Sequence, residues 1–139
     1  MIKVIIPDNP EFVLYKDKLK EMYEINQDKI CDTNSFNFII HNTLFYCFIC
    51  DDGTLIGAIY FFKDEDKLFL NAYAGRKHLD INIECVKLST TWFNCDIYAE
   101  AQNRASALCL LRSGFKRVKD KLFVYKHGKT PGKDLDYDI

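Results

Sequence analysis

Apolar residues in the middle of the chain fall into short runs separated by turn residues. Two such runs, 43–50 and 54–62, flank Asp-Asp-Gly at 51–53, and a third run, 67–73, follows the polar turn 63–66. Runs of β-branched and aromatic residues joined by a tight turn containing Asp-Gly are typical of β-hairpins. The sequence therefore predicts three consecutive antiparallel strands.

The N-terminal pattern predicts one strand and then one amphipathic helix. A β-branched run over 2–6 ends at a proline, and Asn9 with Pro10 suits the cap and first position of a helix. Apolar residues then recur three and four positions apart, which predicts a helix to about residue 25; they are Phe12, Tyr15, Leu19 and Met22. Residues 26–42 fit either a short helix or a turn-rich connection.

Segment 79–92 carries two competing periodicities. An alternating set would suit a strand, namely Leu79, Ile81, Ile83 and Cys85. A longer set has helical spacing, namely Ile81, Cys85, Leu88 and Trp92. Parallel neighbouring strands need a crossover, usually a helix, and one is required here between strands 67–73 and 95–101. We therefore predict a helix over 79–92.

The stretch after residue 95 predicts a strand, a capped helix and a closing hairpin. Asn103 suits the cap of a helix over 103–113, and Gly114 suits the left-handed residue that ends it. Spacing places Leu108, Leu111 and Phe115 on one apolar face, and two small residues, Ala105 and Ala107, allow close packing. The runs 115–118 and 122–126 then form the last hairpin.

Length and charge restrict the class of protein. With 139 residues, we expect one domain over 1–126 and a flexible tail over 127–139. Lys and Arg number 19 against 20 Asp and Glu, a formal net charge of −1. This balance gives no reason to expect nucleic acid or a membrane surface as a partner.

Cysteine usage and the N-terminus predict a cytoplasmic protein. The first residues form a short apolar run that Pro7 soon breaks, unlike a secretory leader. We therefore expect the six cysteines to be reduced. Cys47 and Cys50 lie three apart in a predicted strand, so their side chains point to opposite faces and make a poor metal pair. No metal is predicted.

The order of elements, together with Asn103, Gly114 and Phe115, resembles the GNAT acyltransferases (GCN5-related N-acetyltransferases). The resemblance implies an α+β fold whose mixed, mostly antiparallel central sheet has about six to seven strands, with helices on both faces. It implies that strands 67–73 and 95–101 part at the centre of the sheet. Acetyl-CoA, the acyl donor, would occupy the gap.

The same resemblance implies roles for individual residues. The cofactor arm would contact the strand backbone at Asn71, Ala72 and Tyr73, and the Asn103 side chain. The pyrophosphate would lie at Gly75, Arg76 and Lys77, before a helix whose free N–H groups favour an anion. The tyrosine with which the family protonates the leaving thiolate falls on Leu110, which donates no proton. Glu100 is the carboxylate we consider as a catalytic base.

These observations leave three hypotheses. The first is an N-acetyltransferase that transfers the acetyl group of acetyl-CoA to an amine on a small molecule or a protein. The second is a GNAT-like binding or assembly module with weak or no catalysis, similar to small bacteriophage proteins; it would be virion-associated and would bind phage proteins or further copies of itself. The third is an unrelated α+β binding domain. The missing tyrosine favours the second, whereas Asn103 and the basic pair at 76–77 favour the first.

Overall fold

A computed structural model describes residues 2–30, 32–75 and 79–128, and these form one seven-stranded sheet with helices on both faces. In chain order the elements are β1 (Ile2–Ile5), a 3-10 helix (Pro10–Leu14), α1 (Lys16–Ile30), α2 (Phe36–Asn42), β2 (Leu44–Cys50), β3 (Leu55–Asp64), β4 (Lys67–Ala74), α3 (Leu79–Thr90), β5 (Ile97–Glu100), α4 (Arg104–Arg112), β6 (Lys116–Lys119) and β7 (Leu122–Tyr125). Within the described residues, no helix is long and apolar enough to cross a membrane.

The strands lie in the order β1-β2-β3-β4-β5-β7-β6, and every neighbouring pair is antiparallel except β4 with β5. Alternate side chains of the strands point to opposite faces of the sheet, and each face contributes to its own hydrophobic core. One core lies under α1 and α2 and is rich in aromatic rings such as Tyr23, Phe45 and Tyr60. The other lies under α3 and α4 and includes Phe61, Leu70 and Val86. The predicted α+β architecture is confirmed.

The central hairpins confirm the strand prediction, with a tighter second turn than expected. β3 continues to Asp64 and pairs with β4 from Gly57↔Ala74 to Asp64↔Lys67. The two residues between them, Glu65 and Asp66, have φ of 50° and 67°. Positive φ at both positions is typical of the two-residue turns that match the twist of a hairpin.

The N-terminal helix is interrupted, which corrects the prediction of one continuous helix ending near residue 25. Asn9 caps a separate 3-10 turn by accepting a hydrogen bond from the Glu11 N–H at 2.9 Å. α1 follows from Lys16 and runs to Ile30. The predicted apolar face is confirmed, because its residues are buried or pack against the first core. The open segment after it contains a short helix, α2, capped by Ser35.

The predicted crossover helix is confirmed. α3 spans Leu79–Thr90 and makes β4 and β5 parallel neighbours. Near its end, the hydroxyl groups of Ser89, Thr90 and Thr91 each donate to a carbonyl three residues earlier. These local bonds satisfy the three hydroxyl groups, two of which, those of Ser89 and Thr90, belong to buried residues.

The ends of α4 are as predicted, but its buried face is not. The Asn103 side chain accepts from the Ser106 N–H at 2.8 Å, and Gly114 has φ of 100°. Leu108 and Leu111 are 43% and 47% exposed, whereas Leu110 is 6% exposed.

A Schellman motif explains this difference. The Phe115 N–H donates to the Leu110 carbonyl at 3.0 Å, and the Gly114 N–H donates to the Leu111 carbonyl at 3.2 Å. The chain therefore reverses direction after the helix. Phe115 consequently packs in the same core as Leu110 and does not extend the face formed by Leu108 and Leu111.

A carboxylate just before β5 binds the two residues that follow β7. Asp96 accepts from the His127 N–H at 2.8 Å and forms an ion pair with Lys126 at 3.2 Å. The backbone hydrogen bond from His127, and then Lys126, hold the pKa of Asp96 below its usual value.

We expect Asp96→Ala to lower the free energy of unfolding at pH 7 by about 1 kcal/mol or less, because the pair is partly exposed. A carboxyl group whose pKa is lower in the folded chain stabilises it fully above the unfolded pKa, and this contribution is lost as the pH falls through the folded pKa. Urea unfolding at neutral and acidic pH measures both effects. A difference from wild type that grows in acid would contradict this account.

Candidate functional site

The central parallel pair of strands parts soon after it forms. β4 and β5 pair at Leu68↔Ile97 and Phe69↔Tyr98, while β4 continues to Ala74 and β5 to Glu100. Beyond Phe69, the edge of β4 that faces β5 therefore has no strand partner among the described residues. The predicted parting of these two strands is confirmed, and it leaves backbone groups available to an external ligand.

A cavity of about 80 Å³, here called the slot, lies at this split. Its walls come from both layers of the protein, since α1, α3 and α4 each contribute to it. Its lining residues include Ile30, Asn71, Ala72, Asn82, Ala99, Glu100, Cys109 and Leu110. The slot therefore reaches from one face of the sheet to the other through the gap between the strands.

The α4 wall of the slot carries no strong proton donor. Leu110 lines this wall, and its side chain has no proton to donate. Beside it, burial raises the pKa of the Cys109 thiol, and the Asn82 amide donates to that sulfur at 3.9 Å. Cys109 is consequently a neutral wall residue, because a nucleophilic cysteine requires a lowered pKa.

A larger cavity of about 480 Å³, here called the groove, lies on the α1 and α2 face next to the slot. Slot and groove share three residues, Ile30, Asn71 and Glu100. The rest of the groove is formed by the loop before α2, by α2 itself and by β3 and β4; it includes Asp32, Asn34, Phe38, Asn42, Tyr60, Phe62, Lys63 and Phe69. The two cavities thus adjoin at Asn71 and Glu100.

A chain of hydrogen bonds fixes the polar end of the groove. The Tyr60 hydroxyl donates to Asp32 Oδ2 at 2.6 Å and accepts from Asn71 Nδ2 at 3.2 Å. The other carboxylate oxygen, Asp32 Oδ1, accepts from the Asn34 N–H at 2.9 Å. Burial, and then the Asp32 carboxylate, raise the pKa of Tyr60 well above its usual value. Tyr60 therefore stays protonated and orients Asp32.

We expect Tyr60→Phe to lower the free energy of unfolding by about 1–3 kcal/mol, because it removes the partner of two half-buried polar groups. Urea denaturation measures this loss. Tyr125→Phe is the matched control, since the Tyr125 ring packs on Phe115 on the opposite face, and a change within about 0.5 kcal/mol is expected there. Equal effects of the two substitutions would contradict a special role for the Tyr60 hydroxyl.

The predicted cofactor-binding residues lie around the split in different ways. Asn71 and Ala72 line the slot. The Tyr73 side chain is buried and donates to the Leu19 carbonyl at 3.1 Å, so its backbone is the part that borders the split. The Gly75 N–H donates to the Ile56 carbonyl at 3.1 Å and extends the β3–β4 ladder. The Gly75 N–H is therefore already hydrogen-bonded within the protein.

The remaining predicted residues have separate outcomes. Arg76 and Lys77 lie outside the described residues. Asn103 is exposed and uses its side-chain oxygen to cap α4. Glu100 ends β5, is exposed, and lines both slot and groove. The candidate base is thus at the junction of the two cavities.

Sequence reasoning missed Asp32 and Tyr60. Tyr60 is 28 residues from Asp32, and a tyrosine inside a predicted strand is indistinguishable from a core residue. Asp32 lay in the segment for which no single structure was predicted. Turn-forming residues at 32–35, just before an apolar segment, were the available signal for a polar loop at the sheet surface.

Solved structures share this architecture. An acetyltransferase of the GNAT family from Staphylococcus aureus Mu50 matches 91% of this chain and 99% of its own, with a TM-score of 0.55 and 14% identity. A GNAT superfamily phosphinothricin acetyltransferase from Sinorhizobium meliloti, in complex with acetyl-CoA, matches 95% of this chain and 90% of its own, with a TM-score of 0.62 and 11% identity.

Neither a protein-family model nor a curated protein sequence matches the chain. The structural matches cover nearly the whole chain, and at these low identities they establish its fold. The protein is GNAT-like in fold, as the sequence motif predicted. The comparisons give no support to a phage relationship.

Proposed function

We propose that this chain, whose fold is that of the GNAT acetyltransferases, is an acetyl-CoA-dependent N-acetyltransferase. The observation that carries the proposal is the split between β4 and β5, which opens a slot through the sheet. The Sinorhizobium meliloti structure of the same fold is a complex with acetyl-CoA, which supports this ligand as the donor.

In this proposal, the cofactor arm lies in the slot along the free edge of β4. Backbone groups at Asn71, Ala72 and Tyr73 hold it, and Asn103 contributes from the start of α4. The pyrophosphate lies near Arg76 and Lys77, which precede the first residue of α3, where unpaired N–H groups and the helix dipole favour an anion. Because the Gly75 N–H already donates to the Ile56 carbonyl, the proposal assigns the contact with the pyrophosphate to the side chains of Arg76 and Lys77.

The reaction would rely mainly on placing an amine against the thioester carbonyl. The acetyl group reaches the level of Asn71 and Glu100, where slot and groove adjoin. The amine enters from the groove, and Glu100 accepts its proton directly or through one water. Held reactants avoid most of the entropic cost of a bimolecular step. Because Leu110 donates no proton, the departing thiolate takes its proton from solvent.

Thermal unfolding with acetyl-CoA and with free CoA tests the proposal. At a ligand concentration 100 times Kd, binding to the native state adds about 2.7 kcal/mol, which raises Tm by roughly 8 °C for a chain of this size. Release of free thiol in the presence of an amine panel then reports transfer. The absence of any shift at millimolar acetyl-CoA would overturn the proposal.

A GNAT-like binding module is the second candidate function. The observation that favours it is Leu110, which replaces the usual proton donor in the slot wall. Acetyl-CoA binding without thiol release across the amine panel would support the module. Turnover that depends on an added amine would support the enzyme.

A further inference from the structure

We infer that the groove selects a primary amine that carries an aromatic body and has no anionic group beside the amine. The inference rests on the proposed function, since it names the acceptor class for the same site. It depends on three properties of the groove: two carboxylates near the slot, a row of aromatic rings, and a loop whose carboxylate is oriented by hydrogen bonds.

Two carboxylates make the inner end of the groove favourable for a cation. Asp32 is half-buried, and its two oxygens are oriented by the Tyr60 hydroxyl and the Asn34 N–H. Each oxygen still has acceptor capacity, because an ionised carboxylate has about four lone-pair sites. Glu100 lines the same groove and also the slot. An ammonium group here is attracted on its way to the acetyl group.

Two cations are among the described lining residues, and neither belongs to the hydrogen-bonded end of the groove: Lys29 lines the slot and is exposed, and Lys63 lines the groove. Lys63 is exposed and lies near the end of β3, three residues past Tyr60. The hydrogen-bonded end of the groove, formed by Asp32, Tyr60 and Asn71, contains no cationic side chain. Asn71 links this end to the slot.

A row of aromatic rings, here called the aromatic strip, forms a wall beside the carboxylates. The Phe62 and Phe69 rings are stacked at 5.8 Å with an interplanar angle of 14°. Tyr60, 6.3 Å from Phe62, is fully buried, and Tyr98, 5.8 Å from Phe69, has Lys67 Nζ 5.4 Å from its ring centroid. Phe62 and Phe69 are therefore the rings of the strip that a ligand in the groove can contact. All four side chains lie on the sheet face that carries α1 and α2. Such rings favour a flat apolar body and attract a nearby cation.

The same features disfavour an α-amino acid. Its carboxylate lies two bonds from the amine, so it would come close to Asp32 or Glu100 whenever the amine reached the junction. Like charges in a partly desolvated groove repel more strongly than they do in water. An arylalkylamine fits the aromatic strip and both carboxylates without this repulsion.

Phenethylamine and L-phenylalanine are the matched probes, because they differ by one carboxylate. We expect kcat/KM for phenethylamine, measured by thiol release at saturating acetyl-CoA, to exceed that for L-phenylalanine at least tenfold. Butylamine, which has the amine but no ring, should fall below phenethylamine at least threefold. Raising the ionic strength should reduce the ratio of kcat/KM for phenethylamine to that for L-phenylalanine. The ratio for phenethylamine to butylamine should stay nearly unchanged, because both amines carry the same charge.

Asp32→Asn should increase KM for phenethylamine at least fivefold and reduce discrimination against L-phenylalanine, while the thermal shift with acetyl-CoA is retained. Asp64→Asn is the control, since Asp64 is an exposed carboxylate on β3 that does not line the groove. Asp64→Asn should change neither KM for phenethylamine nor the discrimination against L-phenylalanine. Phe69→Leu should reduce the preference for phenethylamine over butylamine.

The two proposals fail in different ways. Absence of acetyl-CoA binding overturns the proposed function itself. Turnover with another amine but not with phenethylamine, or equal or faster transfer to L-phenylalanine, overturns the acceptor inference alone. An Asp32→Asn variant that binds acetyl-CoA and keeps the wild-type ratio also overturns it.

Discussion

Gly57→Ala is expected to destabilise the protein by about 3 kcal/mol or more, the upper end of the range for overpacking. A Cβ at this position would lie 2.1 Å from the Tyr73 carbonyl oxygen and 2.7 Å from the Ala74 Cα. Both are backbone atoms of β4, so the strands must separate to admit the methyl group. This end of β4 borders the split, and acetyl-CoA binding should weaken with it. Urea denaturation measures the loss.

Gly53→Ala provides the comparison for Gly57→Ala. Gly53 has φ of 85°, but a Cβ there would meet nothing within 4 Å. The cost should therefore be limited to the left-handed backbone, about 1–2 kcal/mol. If both variants unfold at the same urea concentration, β3 and β4 are not as close at Gly57 as the structure places them.

Ala72→Leu is expected to abolish most of the stabilisation by acetyl-CoA while the chain still folds. Ala72 is half-buried and lines the slot, whose volume is about 80 Å³. Three additional carbon atoms would occupy the space proposed for the cofactor arm. The side chain is only half-buried, so the cost to folding should stay near 1 kcal/mol. Thermal unfolding with and without millimolar acetyl-CoA measures both quantities.

Ala105→Leu is the matched control for the slot. It makes the same substitution at an exposed position of α4 that does not line the slot. Its shift with acetyl-CoA should equal that of the wild-type protein. A full shift in Ala72→Leu would place the ligand elsewhere on the protein and contradict the proposed site.

The parts of the fold that depend on local chemistry could be predicted. The hairpins followed from β-rich runs and turn residues, and the ends of α4 followed from Asn103 and Gly114. The crossover helix followed from the need to connect parallel strands. The buried face of α4 was wrong because the Schellman bond from Phe115 to Leu110 redirects the chain. Helical spacing alone contains no information about that reversal.

The split between β4 and β5 was predictable, whereas the contacts around it were less so. The resemblance located the split and placed Asn71, Ala72 and Glu100 beside it, where the cavities lie. The contact between Asp32 and Tyr60 joins a loop to a strand far along the chain. Such a contact follows from packing α1 on the sheet, and no spacing within either segment indicates it.

Amide hydrogen exchange of the central strands tests the main claim most directly. If acetyl-CoA occupies the slot, exchange at the β4 amides after Phe69 and at Ala99 and Glu100 should slow on addition of the ligand, because groups at the split become hydrogen-bonded or shielded. Amides of β1, which lies at the edge of the sheet and is separated from β4 by β2 and β3, should change little. Saturating acetyl-CoA that leaves the split unprotected, or that protects another surface, would contradict the account.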